Sequence, residues 1–323
     1  MGKIVLRLTF AVAILLSASS CEYKPLEYDF DYAGKGHLTF DWSKAPYAEV
    51  AYMMTVMHQV GEAGIVRFEL SKDGGYVRVN PGTWTPVAFN ATCTIQFISD
   101  DRPDNYVATT RVTSIQKATG MAGGGAMPRT KASENEPVIL EPDLFWFALG
   151  APMYMPANAD PKEQTVEMEP RTIEIELVIR GVPNLAWATR FGGCLSGLAS
   201  GVDCASGIPL TEPATHAFYM YSPEDSTLVA RIVSFGLCPE HEGTYPRNHL
   251  VTYVYLNNGT KWYCVQDITD ILRNAPFDEN RRLMTVVVIG GVPIPVPVNA
   301  DSGFHPSVDD WVGVEIDLSM SPE

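Results

Sequence analysis

Basic residues are scarce in this chain. Its 323 residues hold 23 lysines and arginines against 38 aspartates and glutamates, a formal net charge of −15. Charge attraction to nucleic acid or to an anionic membrane surface is thereby excluded as a basis for function. Long helical periodicities are equally scarce, while 24 prolines and 26 glycines are spread along the sequence. That composition belongs to a turn-rich all-β protein. There is no Gly-X-Ser-X-Gly elbow with histidine and acid partners, no glycine loop to cradle phosphate, and no acidic loop with calcium spacing. The chain is therefore not read as an enzyme, and no catalytic residue, metal or cofactor is assigned.

Cysteine is sparse too, and the first of the six follows the one long apolar run. Lys3 and Arg7 precede the apolar residues 8–16, and Ser17-Ala18-Ser19-Ser20 leads to Cys21. A basic start, a short apolar stretch and small residues before a cysteine read as a lipoprotein signal peptide over 1–20, too short for a membrane span. The expected mature chain starts at a lipid-modified Cys21. Each buried methylene of its palmitate-type chains is worth roughly 0.8 kcal/mol of membrane attachment. Loss of Lys3 and Arg7 takes the net charge to about −17 by simple counting. Residues 21–31, acidic and aromatic, read as a tether.

Five cysteines remain. Cys194 and Cys204 are close in sequence, and Cys238 and Cys264 flank one hairpin-like region. In an oxidising compartment these are the expected disulfide pairings, although spacing alone leaves the connectivity open. Cys93 alternates with Ile95 and Phe97 and is expected to be the buried leftover thiol.

Strand periodicity is clear in several places. Leu38, Phe40 and Trp42 alternate with polar neighbours, as do Val66, Phe68 and Leu70, then Ile173, Ile175, Leu177 and Ile179. At the C-terminus Val312, Val314, Ile316, Leu318 and Met320 repeat the pattern. Each predicts a strand with one face buried and one wet. The stretch 120–137, with Gly123-Gly124-Gly125 and Pro128-Arg129-Thr130-Lys131, reads as a mobile loop open to proteases. Residues 152–164 hold prolines and no alternation, and the domain boundary is placed there. The expectation is an N-terminal domain over 32–151, a C-terminal domain over 164–323, and one short helix over 267–274, with Asp267 capping it.

Several clusters invite a sharper reading. Cys238, His241, His249 and Cys264 carry zinc-binding atoms, but only one pair is closely spaced and the compartment favours oxidised thiols. Asp100-Asp101, Glu167 with Glu169, and Asp309-Asp310 read as the solvated side of a sheet. Leu195-Ser196-Gly197 reads as a place where small residues let backbones approach closely. Tyr219 with Tyr221, and Tyr253 with Tyr255, each set a row of rings on a strand, fit for core packing or for a partner.

Four passages carry a resemblance: Phe40-Asp41-Trp42; Pro81-Gly82-Thr83-Trp84 leading to Phe89-Asn90; residues 190–201 with Leu195-Ser196-Gly197-Leu198-Ala199-Ser200-Gly201; and residues 261–271 with Asp267-Ile268-Thr269. Gly303-Phe304 and the terminal Trp311-Val312-Gly313-Val314-Glu315-Ile316 are similar as well. In these the chain resembles a family of Bacteroidales lipoproteins related to fimbrillins and to anchor subunits of type V fimbriae. The resemblance implies two tandem Greek-key β-sandwiches of the transthyretin-like, fimbrillin type, anchored by lipid in the outer membrane at the cell surface. It implies a base or accessory subunit of a fimbria, contributing to adhesion.

Physics supplies a mechanism for such assembly. Edge strands expose unpaired N–H and C=O groups, with which a neighbour's extended segment can form a ladder. Val312, Val314, Ile316, Leu318 and Met320 mark the expected intersubunit strand. The plainer alternative keeps that strand paired inside its own domain. A stand-alone surface lipoprotein that recognises a glycan or host protein without polymerising is the other function carried forward. A buried terminal strand and covered edges would favour it; an open groove would favour assembly.

Overall fold

The computed structural model describes residues 32–99, 101–121, 126–279, 283–297 and 311–316. The signal segment 1–20, the lipidation site Cys21, the tether 21–31, Gly303-Phe304, and Leu318 and Met320 lie outside the described residues.

Alternation builds the first strands, β1 (Gly34–Asp41), β2 (Tyr52–Gln59), β3 (Ile65–Ser71), β4 (Gly74–Val79) and β5 (Gly82–Asn90). Leu38 and Phe40 point inward from β1, and Met53 and Met57 from β2, onto a core that also holds Val77, Trp84 and Trp146. The β3–β4 turn requires glycine. Gly74 has φ of +109°, and a Cβ there would lie 1.9 Å from the Leu38 carbonyl oxygen, a position only a bare backbone tolerates. Next come β6 (Ile95–Ser99), β7 (Val107–Thr110), the helix Ile115–Thr119, β8 (Val138–Ile139), β9 (Trp146–Leu149), β10 (Met153–Met155), β11 (Lys162–Glu167) and β12 (Glu169–Pro170). The first sheet runs β11-β1-β4-β3-β2-β5-β9-β12, with β10 also on β5. Placing β1 beside β4 gives the Greek-key order.

The second half contributes β13 (Ile173–Arg180), β14 (Ala188–Ala199), β15 (Gly201–Asp203), β16 (Pro213–Tyr219), β17 (Tyr221–Glu224), β18 (Thr227–Ser234), β19 (His249–Leu256), β20 (Lys261–Asp267), β21 (Leu283–Ile289) and β22 (Trp311–Ile316). A four-stranded sheet, β17-β18-β13-β21, faces a six-stranded one, β22-β20-β19-β14-β16-β8. Between them lie Ile175, Leu177 and Ile179, with Leu195, Leu250, Trp262 and Val286. Fully burying each such aliphatic contributes about 1.5–3 kcal/mol. The expected all-β, β-sandwich class is what the chain adopts.

Three features depart from the sequence reading. The halves do not divide at 152–164. Strands β11 and β12 remain in the first sheet as far as Pro170, whereas β8 lies at the margin of the second half's six-stranded sheet. A third sheet, β15-β7-β6, takes strands from both halves. It lies over an aromatic cluster of Tyr106, Phe145 and Phe147 with Phe89 and Phe97 against it.

The 120–137 stretch is docked where it is described, rather than a free loop. Met121 and Met127 pack with Cys194, Val251 and Tyr253 on the outer face of the six-stranded sheet. Tyr253 donates to the Pro128 carbonyl at 2.6 Å. Arg129 donates to the Glu136 carbonyl at 3.0 Å and to Thr215 Oγ1 at 2.7 Å. Glu136 Oε2 receives Gly197 N–H at 3.1 Å and Thr215 Oγ1 at 2.8 Å. The low apolar content is offset by these partners, which lie far away in sequence.

Two short helices, not one, occur among the described residues. The expected one spans Thr269–Arg273, and Asp267 Oδ1 accepts from the Thr269 amide at 3.0 Å. The other, Ile115–Thr119, starts at Ser114, whose hydroxyl accepts from the Lys117 amide, and packs beneath the docked stretch.

Candidate functional site

The strand predicted to meet a partner lies along one flank of the second sandwich. Strand β22 pairs in parallel with β20 from Lys261↔Trp311 to Gln266↔Ile316, at the end of its sheet. Its two faces differ. Trp311 and Gly313 lie on the outer face, where the Trp311 ring meets Tyr253 at 5.3 Å, Tyr255 at 5.7 Å and Tyr263 at 6.5 Å. Such aromatic pairs contribute about 0.5–1.5 kcal/mol each. Gly313 lets the Tyr263 ring lie across the strand, since an added Cβ would come within 2.2 Å of it. On the opposite face Ile316 packs against the sandwich core, whereas Val312 and Val314 are 50% and 44% exposed. The expected buried row is therefore only partly buried.

Strand β21 closes the facing sheet on the same flank. Leu283 and Thr285 turn their backbone groups outward: the Leu283 carbonyl accepts from the Asp278 amide, and the Thr285 amide donates to the Pro276 carbonyl. The same alternation directs the N–H and C=O of Val287 and Ile289 outward, where no described strand pairs with them. The Ile289 side chain is 79% exposed. Between the two sheets runs the proline-spaced segment Val292-Pro293-Ile294-Pro295. Val292 and Ile294 are buried, and the Ile294 carbonyl accepts from Asn184 Nδ2 at 2.7 Å. Its prolines carry no N–H with which to join a ladder.

None of the five described cysteines is paired. Cys194, Cys204, Cys238 and Cys264 are all buried free thiols. Cys194 lies on the outer face of the six-stranded sheet, 3.3 Å from Tyr253 Oη, whereas Cys204 belongs to the aromatic cluster between the halves. Cys238 donates to the Thr211 carbonyl and Cys264 to the Gly291 carbonyl, both at 3.1 Å. Nearness in sequence did not bring either expected pair together, because each thiol takes a different packed layer or carbonyl partner. Burial pushes the thiols up, Cys194 and Cys238 to about 11 and Cys204 and Cys264 to about 12. Cys93, expected to be buried, is exposed and donates to Asp143 Oδ2 at 3.5 Å.

Of the other clusters, Asp100 and Asp309-Asp310 lie outside the described residues. His241 is exposed and Cys238 is committed to a carbonyl, and among the described residues no group of three or more His, Cys, Asp or Glu is placed to hold a metal ion. Lys44 bridges Glu167, at 3.0 Å, and Glu169, which Arg171 also contacts at 2.9 Å. Lys44 and Arg171 hold the Glu169 carboxyl below its ordinary pKa. Gly197 packs where a Cβ would meet the Arg247 carbonyl at 2.6 Å, so the Leu195-Ser196-Gly197 bulge does permit close backbone approach. Tyr253 is buried beneath the docked stretch, whereas Tyr219 and Tyr221 are exposed. Sequence reasoning quoted Trp311 and Gly313 only for a resemblance and missed their packing against Tyr253 and Tyr263. The signal was present in Trp-Val-Gly-Val, where tryptophan and glycine share the face opposite the valines.

Solved structures show similarities to this chain. A "putative adhesin" from Bacteroides ovatus ATCC 8483 superposes with a TM-score of 0.57 over 90% of this chain and 94% of that one, at 15% identity. The fimbrial anchor protein Mfa2 from Porphyromonas gingivalis gives 0.46 over 80% and 90%, at 10% identity. At such identities the first likeness establishes a shared fold. No curated protein matches the sequence. The sequence profile of the family described as domain of unknown function DUF5119 matches residues 20–218. With more than half of its length matched, the chain belongs to the DUF5119 family.

Proposed function

We propose that this protein is a lipid-anchored, fimbrillin-like component of the cell surface, a base or accessory subunit of a fimbria that contributes to adhesion. In this reading Cys21 holds the chain in the outer membrane, and the β21–β22 flank receives or donates a strand to a neighbouring subunit. The chain acts by pairing and adhering and performs no catalysis. The observation that carries the reading is a flank that no described strand covers. Outward-facing backbone at Val287 and Ile289, together with half-exposed Val312 and Val314, is the edge that strand addition requires. A covered edge would have favoured a solitary binding protein.

The test is a denaturing gel of unboiled outer-membrane extract from the native host, probed with an antibody to this protein, with wild type beside Cys21→Ala. A heat-sensitive ladder in wild type, released to the medium in the mutant, supports assembly and anchoring. A single band of about 33 kDa, the residue count times a mean residue mass, would overturn the fimbrial reading and leave a solitary surface lipoprotein.

A further inference from the structure

A recess lies in the first half, independent of the β21–β22 flank. The approach to β2, the turn after β5 and the approach to β9 enclose a cleft of about 540 Å³, within the size range of small-ligand sites. Tyr47, Glu49, Tyr52, Asn90, Asp143 and Trp146 line it. Its walls are held in place by bonds that do not involve a ligand. Asn90 Nδ2 donates to the Leu144 carbonyl at 2.9 Å, and Asn90 Oδ1 accepts from the Trp146 amide at 2.8 Å. Asp143 Oδ2 accepts from the Cys93 and Thr94 amides, each at 3.2 Å. The Trp146 ring is fixed edge-on against Trp42, with centroids 6.2 Å apart. A site held by its own scaffold loses little order when it binds.

The lining chemistry narrows the ligand. The Tyr52 ring is 60% exposed, although tyrosine is large and apolar over most of its surface. No lysine, arginine or histidine lines the cleft, so nothing there neutralises an anionic group. The Asp143 charge is already shared with two amides and the Cys93 thiol, which weakens its pull on a cation and leaves Oδ1 as a directional acceptor. Trp146 Nε1 is a buried donor without a hydrogen-bond partner among the described residues. The carboxylate acceptors and the exposed Tyr52 ring suit a ligand whose hydroxyls donate and whose C–H faces stack on an aromatic.

We propose that this cleft binds a neutral saccharide, with Tyr52 as the stacking platform and Glu49 and Asp143 as hydroxyl acceptors. An array of neutral, sialylated and sulfated oligosaccharides identifies the probe, and calorimetry with that oligosaccharide measures affinity. Tyr52→Ala and Glu49→Gln change exposed side chains, so thermal unfolding should not move, while affinity should fall at least ten-fold. Tyr52→Phe should keep most of the affinity, because it keeps the ring face. Gly313→Val, on β22, should leave saccharide binding intact whether or not strand addition is correct. Three results would each overturn the proposal: no neutral oligosaccharide bound at millimolar concentration, preference for anionic glycans or a quaternary ammonium ion, or binding indifferent to Tyr52→Ala.

Discussion

The docking of the C-terminal strand rests on one missing methyl group, and Gly313→Val should undo it. Gly313 lies opposite Tyr263 in the β20–β22 register, and a Cβ at that position would come 2.2–2.5 Å from three atoms of the Tyr263 ring. The ring has little room to retreat, because Trp311 is stacked among Tyr253, Tyr255 and Tyr263. Overpacking a fitted contact costs about 1–3 kcal/mol. Loss of the Trp311 contacts that must move with the ring adds about 0.5–1.5 kcal/mol for each aromatic pair broken. A shift of 2–3 kcal/mol corresponds to about 30- to 150-fold in the docked-to-free ratio at 1.4 kcal/mol per decade. Amide exchange over residues 311–316 should accelerate by that order, while β14 and β19, deep in the same sheet, keep their protection. Ladder formation on the unboiled gel should change in step if β22 is the strand that pairs. Unchanged protection at 311–316 would refute the steric argument, and loss of protection throughout the sheet would show that β22 is part of the fold rather than an addition to it.

Two further outcomes follow from the interior. His216 is buried with neither ring nitrogen hydrogen-bonded by a side chain, and burial lowers its pKa from 6.5 to about 4. The unfolded chain therefore binds the extra proton between those values, and stability is lost as pH falls through that window, by roughly 2 kcal/mol at pH 5 and about 3 below pH 4. Urea unfolding at pH 7 and pH 5 should show this drop in wild type relative to His216→Leu. Glu136 and Glu141, raised by burial, act in the opposite direction in both proteins. In the thiol titration of Cys21→Ser protein, Cys93 alone among the five should react without denaturant, and all five should react in guanidinium; four unreactive thiols in denaturant would mean that the pairs form after all.

Periodicity made the central strands legible because a pleat has only two faces. Ile175, Leu177 and Ile179 could only be the buried row of a sheet, and they are. The same pattern at Val312 and Val314 overstated burial, since alternation reports which face a residue takes and not whether its strand lies at the centre or the edge. The 120–137 stretch failed differently. Its glycines suggested a free loop, but Met121, Met127 and Arg129 are held by Tyr253 and Thr215, far along the chain. Local composition carries no information about such distant partners. The cleft at Tyr52 was equally invisible, because residues near 50, 90 and 145 converge only through the order of the first sheet.

The two halves are joined by more than a single linker. Strand β15 of the second half pairs with β7 of the first from Gly201↔Thr109 to Asp203↔Val107, and β8 of the first pairs with β16 of the second. Arg171 is buried at the crossing, with Nε donating to the Cys204 carbonyl at 2.6 Å and the guanidinium 5.8 Å from the Phe147 ring. Phe145 and Phe147 pack beside Val202 and Phe235 in one cluster. Separating the halves would expose these aromatics, break two ladders and strand a buried guanidinium, and each loss alone costs kilocalories. The two halves are thus built as one tied body rather than two beads.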